Sequence, residues 1–110
     1  VVTNKPHAVA YPLIEKCFGE DYFIDVIGVS DNVIPKPHPS MVDIIVKKYN
    51  LDRSKSVYIG DSIIDLQTAQ NSSMKSAIVM FGYGLYNELP IEEADYLIND
   101  VKDYKIFMKE

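Results

Sequence analysis

The order of short apolar runs and helix-like segments predicts an α/β fold on a mostly parallel sheet, with helices on both faces. Two observations carry this. The runs Ser56–Gly60, Ala77–Met80 and Tyr96–Ile98 are short and almost wholly apolar, as strands buried on both faces are. Helix-patterned segments, not tight turns, separate them. Ligands of such sheets bind beyond the carboxyl ends of the strands. Thr3, Asp61 and the Gly82-Tyr83-Gly84 turn each follow a predicted strand, and Lys36 lies in a loop after one. Four separate segments thus converge on one rim.

Each element has a local reason. Val1-Val2 reads as the end of a strand. Pro6 suits a first helical position, and an apolar-patterned helix follows to Phe18, closed by Gly19. Pro12 inside that stretch predicts a kink or a delayed start. Residues 23–29, rich in β-branched and aromatic side chains, read as the next strand. Ser40 is a plausible N-cap for a helix to Tyr49, with Asp43 placed to favour that end of the helix dipole. A strand over Ser56–Gly60 leads into a helix over residues 62–72, with Ile63, Leu66 and Ala69 on one side. Strands at 77–80 and 96–98 follow, and residues 101–109 close the chain as a helix.

At 110 residues the chain is one domain or less. It is 47% hydrophobic and 25% charged, values that argue for a folded chain. The net charge is −5 with no cluster of Lys or Arg, so nucleic acid is not an expected partner. No apolar run reaches the roughly 20 residues a membrane helix needs, and no signal peptide is visible. Val1 stands where a Met would, which suits a start further upstream. The lone Cys17 cannot form an internal disulfide; it fits a reducing, cytoplasmic compartment and reads as a core residue.

Thr3 reads either as a helix N-cap or, with the backbone N–H groups of Asn4 and Lys5, as an anion site. Lys36 stands between Pro35 and Pro37, with Pro39 beyond. Prolines stiffen a loop, and a stiff loop can hold an ammonium against phosphate; the alternative is a solvated lysine in a turn. Asp61 and Asp65 are four apart at a helix start and can face the same way. A Mg²⁺ ion suits such a pair, because it takes one or two carboxylates plus water and phosphate oxygens. The alternative is Asp61 as a helix cap with Asp65 exposed. Gly60 before the pair permits close backbone approach. His7 and His38 lack zinc-ligand spacing, and His7 reads as a surface residue of a first helical turn.

The ordered set Thr3-Asn4-Lys5-Pro6, Lys36-Pro37-His38-Pro39, Gly60-Asp61-Ser62-x-x-Asp65 and Phe81-Gly82-Tyr83-Gly84 resembles the haloacid dehalogenase superfamily, in particular its phosphoglycolate phosphatase-like members. Asp31-Asn32-Val33, Glu88-Leu89 and Ala94-Asp95-Tyr96 resemble them as well. The resemblance runs from Val1 to about Asp100 and implies part of a Rossmann-like three-layer α/β/α core. It implies that Thr3 hydrogen-bonds a transferring phosphoryl group, that Lys36 neutralises its charge, that Asp61 binds Mg²⁺, and that Asp65 acts beside it, directly or through water. The substrate class implied is a small phosphorylated metabolite.

Two departures from that family stand out. After Asp65 the family carries Ala-x-x-Ala-Gly, where this chain has Ala69-Gln70-Asn71-Ser72-Ser73. The family's first motif, Asp-x-Asp-x-Thr/Val, which supplies the nucleophile, occurs nowhere in the 110 residues, and neither does the usual cap. The expectation is therefore a partial core, inactive alone, whose unpaired strand edges are filled by an upstream segment or a second copy. A stand-alone regulatory domain that binds phosphate or metal is the alternative. A receiver domain fits less well, because its lysine follows its acidic residues while Lys36 precedes Asp61.

Overall fold

A computed structural model of the chain describes residues 1–81 and 90–107. They form two units, Val1–Leu51 and Asp52 onward, each of α/β character. No helix among them is long and apolar enough to cross a membrane.

In the first unit, β1 (Val2–Pro6) runs straight into α1 (His7–Phe18) and pairs in parallel with β2 (Ile27–Val29). The ladder aligns Val2 with Ile27 and Pro6 with Val29 and is irregular between. Four steps along β1 therefore match two along β2, so Thr3-Asn4-Lys5 bulges out of the ladder, as strands do where side chains must be re-aimed. Thr3 thus lies within the strand, and Pro6 is the residue before the helix rather than its first. The helix start is not delayed by Pro12, which is exposed and sits well inside α1. Gly19 closes α1 at φ 88, as read from the sequence.

Strand β2 is shorter than the sequence pattern suggests. Phe23 is drawn into an aromatic cluster with Phe18 and Tyr22, at centroid distances of 5.2 and 4.8 Å. Asp25 is drawn toward α2 (Ser40–Tyr49), where Lys48 Nζ and Tyr49 OH each donate to its Oδ2 at 2.9 Å. Pro39, not Ser40, occupies the N-cap of α2; its carbonyl accepts from Asp43 N–H at 2.8 Å, and the Ser40 hydroxyl instead accepts from Ile34 N–H. Cys17 is exposed, not core, because α1 buries only Ala10 among its residues.

Asp25 supplies an acid-sensitive tie. Burial alone would raise its pKa, but the hydrogen bonds from Lys48, Tyr49 and the Val26 N–H, with the charge of Lys48, outweigh burial and hold it below the ordinary 3.8. A depressed carboxylate stabilises the fold above its unfolded pKa and loses that contribution as pH falls through the folded one. Lys48 is well exposed, so solvent screens its share. Asp25→Asn should thus lower stability by about 1–2 kcal/mol at pH 7 and by less below about pH 3. Urea denaturation at the two pH values checks this; an equal loss at both would contradict it.

The second unit is a sheet of β3 (Val57–Gly60), β4 (Lys75–Val79) and β5 (Tyr96–Ile98), all parallel, in the order β3-β4-β5. Its two faces are covered separately. Helix α3 (Ile63–Asn71) packs Leu66 against Ile78, with Met80 and Ala94 beside them. On the other face, Ala77, Val79 and Ile98 pack with Tyr104 and Phe107 of a 3₁₀ segment, Val101–Phe107. That segment stands where the sequence suggests an α-helix. Leu66, Ile78 and Ile98 are each almost fully buried, worth about 1.5–3 kcal/mol apiece. Leu66 and Ala69 face the core as expected, while Ile63, in the first turn of α3, is exposed. Among the described residues, strand β3 lies at the edge of this sheet, paired with β4.

Candidate functional site

In the first unit, three of the sequence-selected residues are joined. The Thr3 Oγ1 accepts from Lys5 N–H at 3.2 Å, closing the β1 bulge. This bond uses an oxygen lone pair and not the hydroxyl proton. The Lys5 N–H is thereby bonded within the bulge rather than presented at a helix start, since α1 begins at His7. Asn4 carries its carboxamide to Lys36 and makes two bonds there. Its Oδ1 accepts from Lys36 N–H at 2.8 Å, and its Nδ2 donates to Lys36 O at 3.2 Å. Thr3 and Lys36 are therefore connected through one side chain. His38 and Ser40 order the next turn, with Ser40 N–H donating to His38 Nδ1 at 3.1 Å.

His7 proves to be more than a surface residue. It is half-buried, and its Nδ1 accepts from Gly28 N–H at 3.1 Å, tying the start of α1 to β2.

In the second unit, Asp61 and Asp65 meet where β3 gives way to α3, in different roles. Ser62 caps α3, its hydroxyl accepting from Asp65 N–H at 3.3 Å and donating to Asp65 Oδ2 at 3.1 Å. The same Oδ2 accepts from Asp61 N–H at 3.0 Å. This is a capping box whose acid reaches one residue beyond the cap. Oδ1 accepts from the buried Tyr58 hydroxyl at 3.4 Å. Burial, and then the neighbouring Asp65 carboxylate, push the Tyr58 pKa far above its ordinary value, so the hydroxyl stays protonated and donates. Asp65 is 7% exposed. Its oxygens hold the loop that presents Asp61, which is half-buried beside it.

Gly60 makes this approach possible. A Cβ built there would overlap the Cβ, Cγ and Oδ2 of Asp65. The loop can therefore close on Asp65 only with glycine in that place.

Two participants had a readable signal in the sequence. Ser62-x-x-Asp65 is the spacing of a capping box, and a buried tyrosine such as Tyr58 needs a partner for its hydroxyl. The Asn4–Lys36 pairing spans 32 positions and leaves no local signal.

The donor set suits a hard cation held by few protein groups. Among the described residues no three His, Cys, Asp or Glu side chains gather as a metal cage. Mg²⁺ does not need one, since water and phosphate oxygens complete its shell. Asp65 is committed to Asp61 N–H, Ser62 Oγ and Tyr58 OH, and so fixes the backbone that carries the Asp61 carboxylate. The Gly82-Tyr83-Gly84 turn and Glu88-Leu89 lie outside the described residues.

Comparison with known proteins identifies the family. A family model described as haloacid dehalogenase-like hydrolase matches residues 1–79. The phosphoglycolate phosphatase of Pectobacterium atrosepticum is 32% identical over 103 residues, 94% of this chain and 44% of that protein. The phosphoglycolate phosphatase of Escherichia coli K12 is 28% identical over 103 residues, again 94% of this chain and 41% of the other. The chain thus spans less than half the length of these relatives. A crystal structure of a Lactobacillus delbrueckii protein assigned as a phosphoglycolate phosphatase overlays with a TM-score of 0.90 at 33% identity, covering 100% of this chain and 46% of that one. An NMR structure of a core domain from Streptococcus pneumoniae TIGR4 covers 99% of this chain and 74% of that one, with a TM-score of 0.69 at 23% identity; it speaks to the fold alone.

Proposed function

The chain belongs to the haloacid dehalogenase-like hydrolases, and on that basis we propose that it carries the phosphate- and metal-positioning part of a Mg²⁺-dependent phosphomonoesterase acting on a small phosphorylated metabolite such as phosphoglycolate. The observation that carries the proposal is the link from Thr3 through Asn4 to Lys36, which puts a hydroxyl donor and a lysine on one hydrogen-bonded frame.

Phosphoryl transfer asks a protein mainly for positioning and charge neutralisation. The Thr3 hydroxyl donates to a phosphoryl oxygen. The Lys36 ammonium offsets negative charge on the same group. The Asp61 carboxylate would hold Mg²⁺, with Asp65 keeping the Asp61 backbone in place. When bound, the ion supplies further neutralisation of phosphate oxygens.

The reaction also needs a nucleophile. In this reading an aspartate carboxylate attacks phosphorus, the alcohol leaves, and water then cleaves the acyl phosphate to return the carboxylate and free phosphate. No Asp-x-Asp-x-Thr/Val occurs in the 110 residues, so that aspartate belongs to another segment. Among the described residues β3 is paired with β4 alone, and its other edge is where such a segment, or a second copy of the chain, would dock.

The 110 residues alone should hydrolyse p-nitrophenyl phosphate in Mg²⁺ no faster than buffer. Robust turnover that Asp61→Asn abolishes would show a nucleophile inside the chain and sink this division of labour. The same lack of the motif favours a second reading, a non-catalytic domain that binds phosphate or metal. Sequence 5′ of Val1 separates the two: an open frame encoding Asp-x-Asp-x-Thr/Val removes the second.

A further inference from the structure

We propose that Asn4 is a positioning residue for Lys36, acting on the lysine's backbone and not on phosphate. The inference rests on the reading of Lys36 as a phosphate-neutralising group.

Pro35 and Pro37 lack an N–H, so Lys36 carries the single backbone donor in residues 35–37. That donor goes to Asn4 Oδ1 at 2.8 Å, and the carbonyl of the same residue takes Asn4 Nδ2 at 3.2 Å. The two bonds are complementary: a carboxamide turned over would set donor against donor and acceptor against acceptor. Asn4 therefore grips Lys36 as a neighbouring strand would, with a side chain in place of a backbone.

The prolines make the loop stiff within itself, and the Asn4 carboxamide ties it to β1. A lysine side chain has four rotatable bonds, so its ammonium can be held only if its Cα is held first. Asn4 does this from within the β1 bulge, one residue from Thr3, so the Thr3 hydroxyl and the start of the Lys36 side chain share one support. The arrangement also explains the bulge. A regular ladder would set the Asn4 side chain by strand alternation, whereas the extra residues let it turn toward the loop.

The test uses the 110-residue chain as wild type, Asn4→Ala, Asn4→Asp, Lys36→Ala and the Asn4→Ala/Lys36→Ala double variant. The first readout is amide hydrogen exchange by NMR. Asn4→Ala should speed exchange at Lys36 N–H by about tenfold or more, while the Gly28 amide, bonded to His7, keeps its protection. Asn4→Asp keeps the acceptor for Lys36 N–H but loses the donor to Lys36 O, so its Lys36 exchange should fall between those of wild type and Asn4→Ala. Unchanged exchange at Lys36 in Asn4→Ala overturns the inference.

The second readout is the affinity for inorganic phosphate in Mg²⁺. Asn4→Ala should weaken it about 3–10-fold, and the double variant should bind within about twofold of Lys36→Ala alone, because the effect of Asn4 passes through Lys36. Losses that simply multiply would mean that Asn4 acts on phosphate or on the fold at large, and would overturn the inference. A wild-type chain that binds no phosphate overturns the functional reading and with it the role of Asn4 there, whatever the exchange data say of the tether itself.

Discussion

Gly60→Ala will destabilise the second unit by about 2–3 kcal/mol and displace Asp61 from its present place. The new methyl would occupy space already filled by the Asp65 side chain. Asp65 cannot simply swing away, because its carboxylate accepts from Asp61 N–H, Ser62 Oγ and Tyr58 OH. Moving it would strand buried donors, each worth about 1–3 kcal/mol when left unpaired. Leaving it would force the loop outward, an overpacking cost of about 1–3 kcal/mol. Either route loosens the turn that presents Asp61. Urea denaturation checks the stability, and the Asp61 amide shift checks the position. A variant with the wild-type midpoint and an unmoved Asp61 resonance would contradict the close approach described here.

Gly28→Ala will be costlier still. A Cβ at Gly28 would lie 2.6 Å from His7 Cα, 2.6 Å from Lys5 O and 2.7 Å from His7 N, all backbone atoms. A side chain can rotate out of the way, but backbone in a parallel ladder can yield only if β1 and β2 separate. That separation would also stretch the Gly28 N–H bond to His7 Nδ1. The expected loss is about 3 kcal/mol or more, at the upper end for overpacking and a large fraction of the stability of a small domain. Thermal unfolding checks it. Because the Thr3-Asn4-Lys5 bulge depends on this pairing, the Lys36 amide should also exchange faster in this variant. A loss below about 1 kcal/mol would mean the first unit adjusts its strands freely.

The second unit was largely legible in the sequence. The strand at Tyr96–Ile98 matches its apolar run, and α3 matches its predicted span to within a residue at each end, because a capping serine and a buried Leu66 mark it. The helix C-terminus was legible too. The family places Gly where this chain has Ser73, and Ser73 adopts φ 57, the left-handed region that glycine enters most easily. Beside it, the buried Ser72 hydroxyl, where the family has Ala, has no hydrogen-bond partner among the described residues.

The first unit was less so. Aromatic and β-branched residues at 23–26 look like a strand, yet Phe23 packs with other rings, the Asp25 side chain joins an ion pair, and β2 begins only at Ile27. Cys17 fits the apolar pattern of a helix, but α1 turns only a narrow face inward, with Ala10 at its centre. The site residues themselves stood out through their chemistry and order. The long-range support did not: the Asn4 side chain reaches 32 positions ahead to Lys36, a pairing that no local pattern marks.

The central claim is that this chain holds phosphate and metal but does not attack. Phosphorus-31 NMR of the 110-residue chain with Mg²⁺ and phosphoglycolate tests it in one sample. The account predicts that the phosphomonoester resonance broadens or shifts with added chain, that Lys36→Ala and Asp61→Asn each weaken the effect, and that no inorganic phosphate accumulates. A phosphate signal growing at a catalytic rate, or a phosphomonoester resonance that ignores the chain, would contradict it.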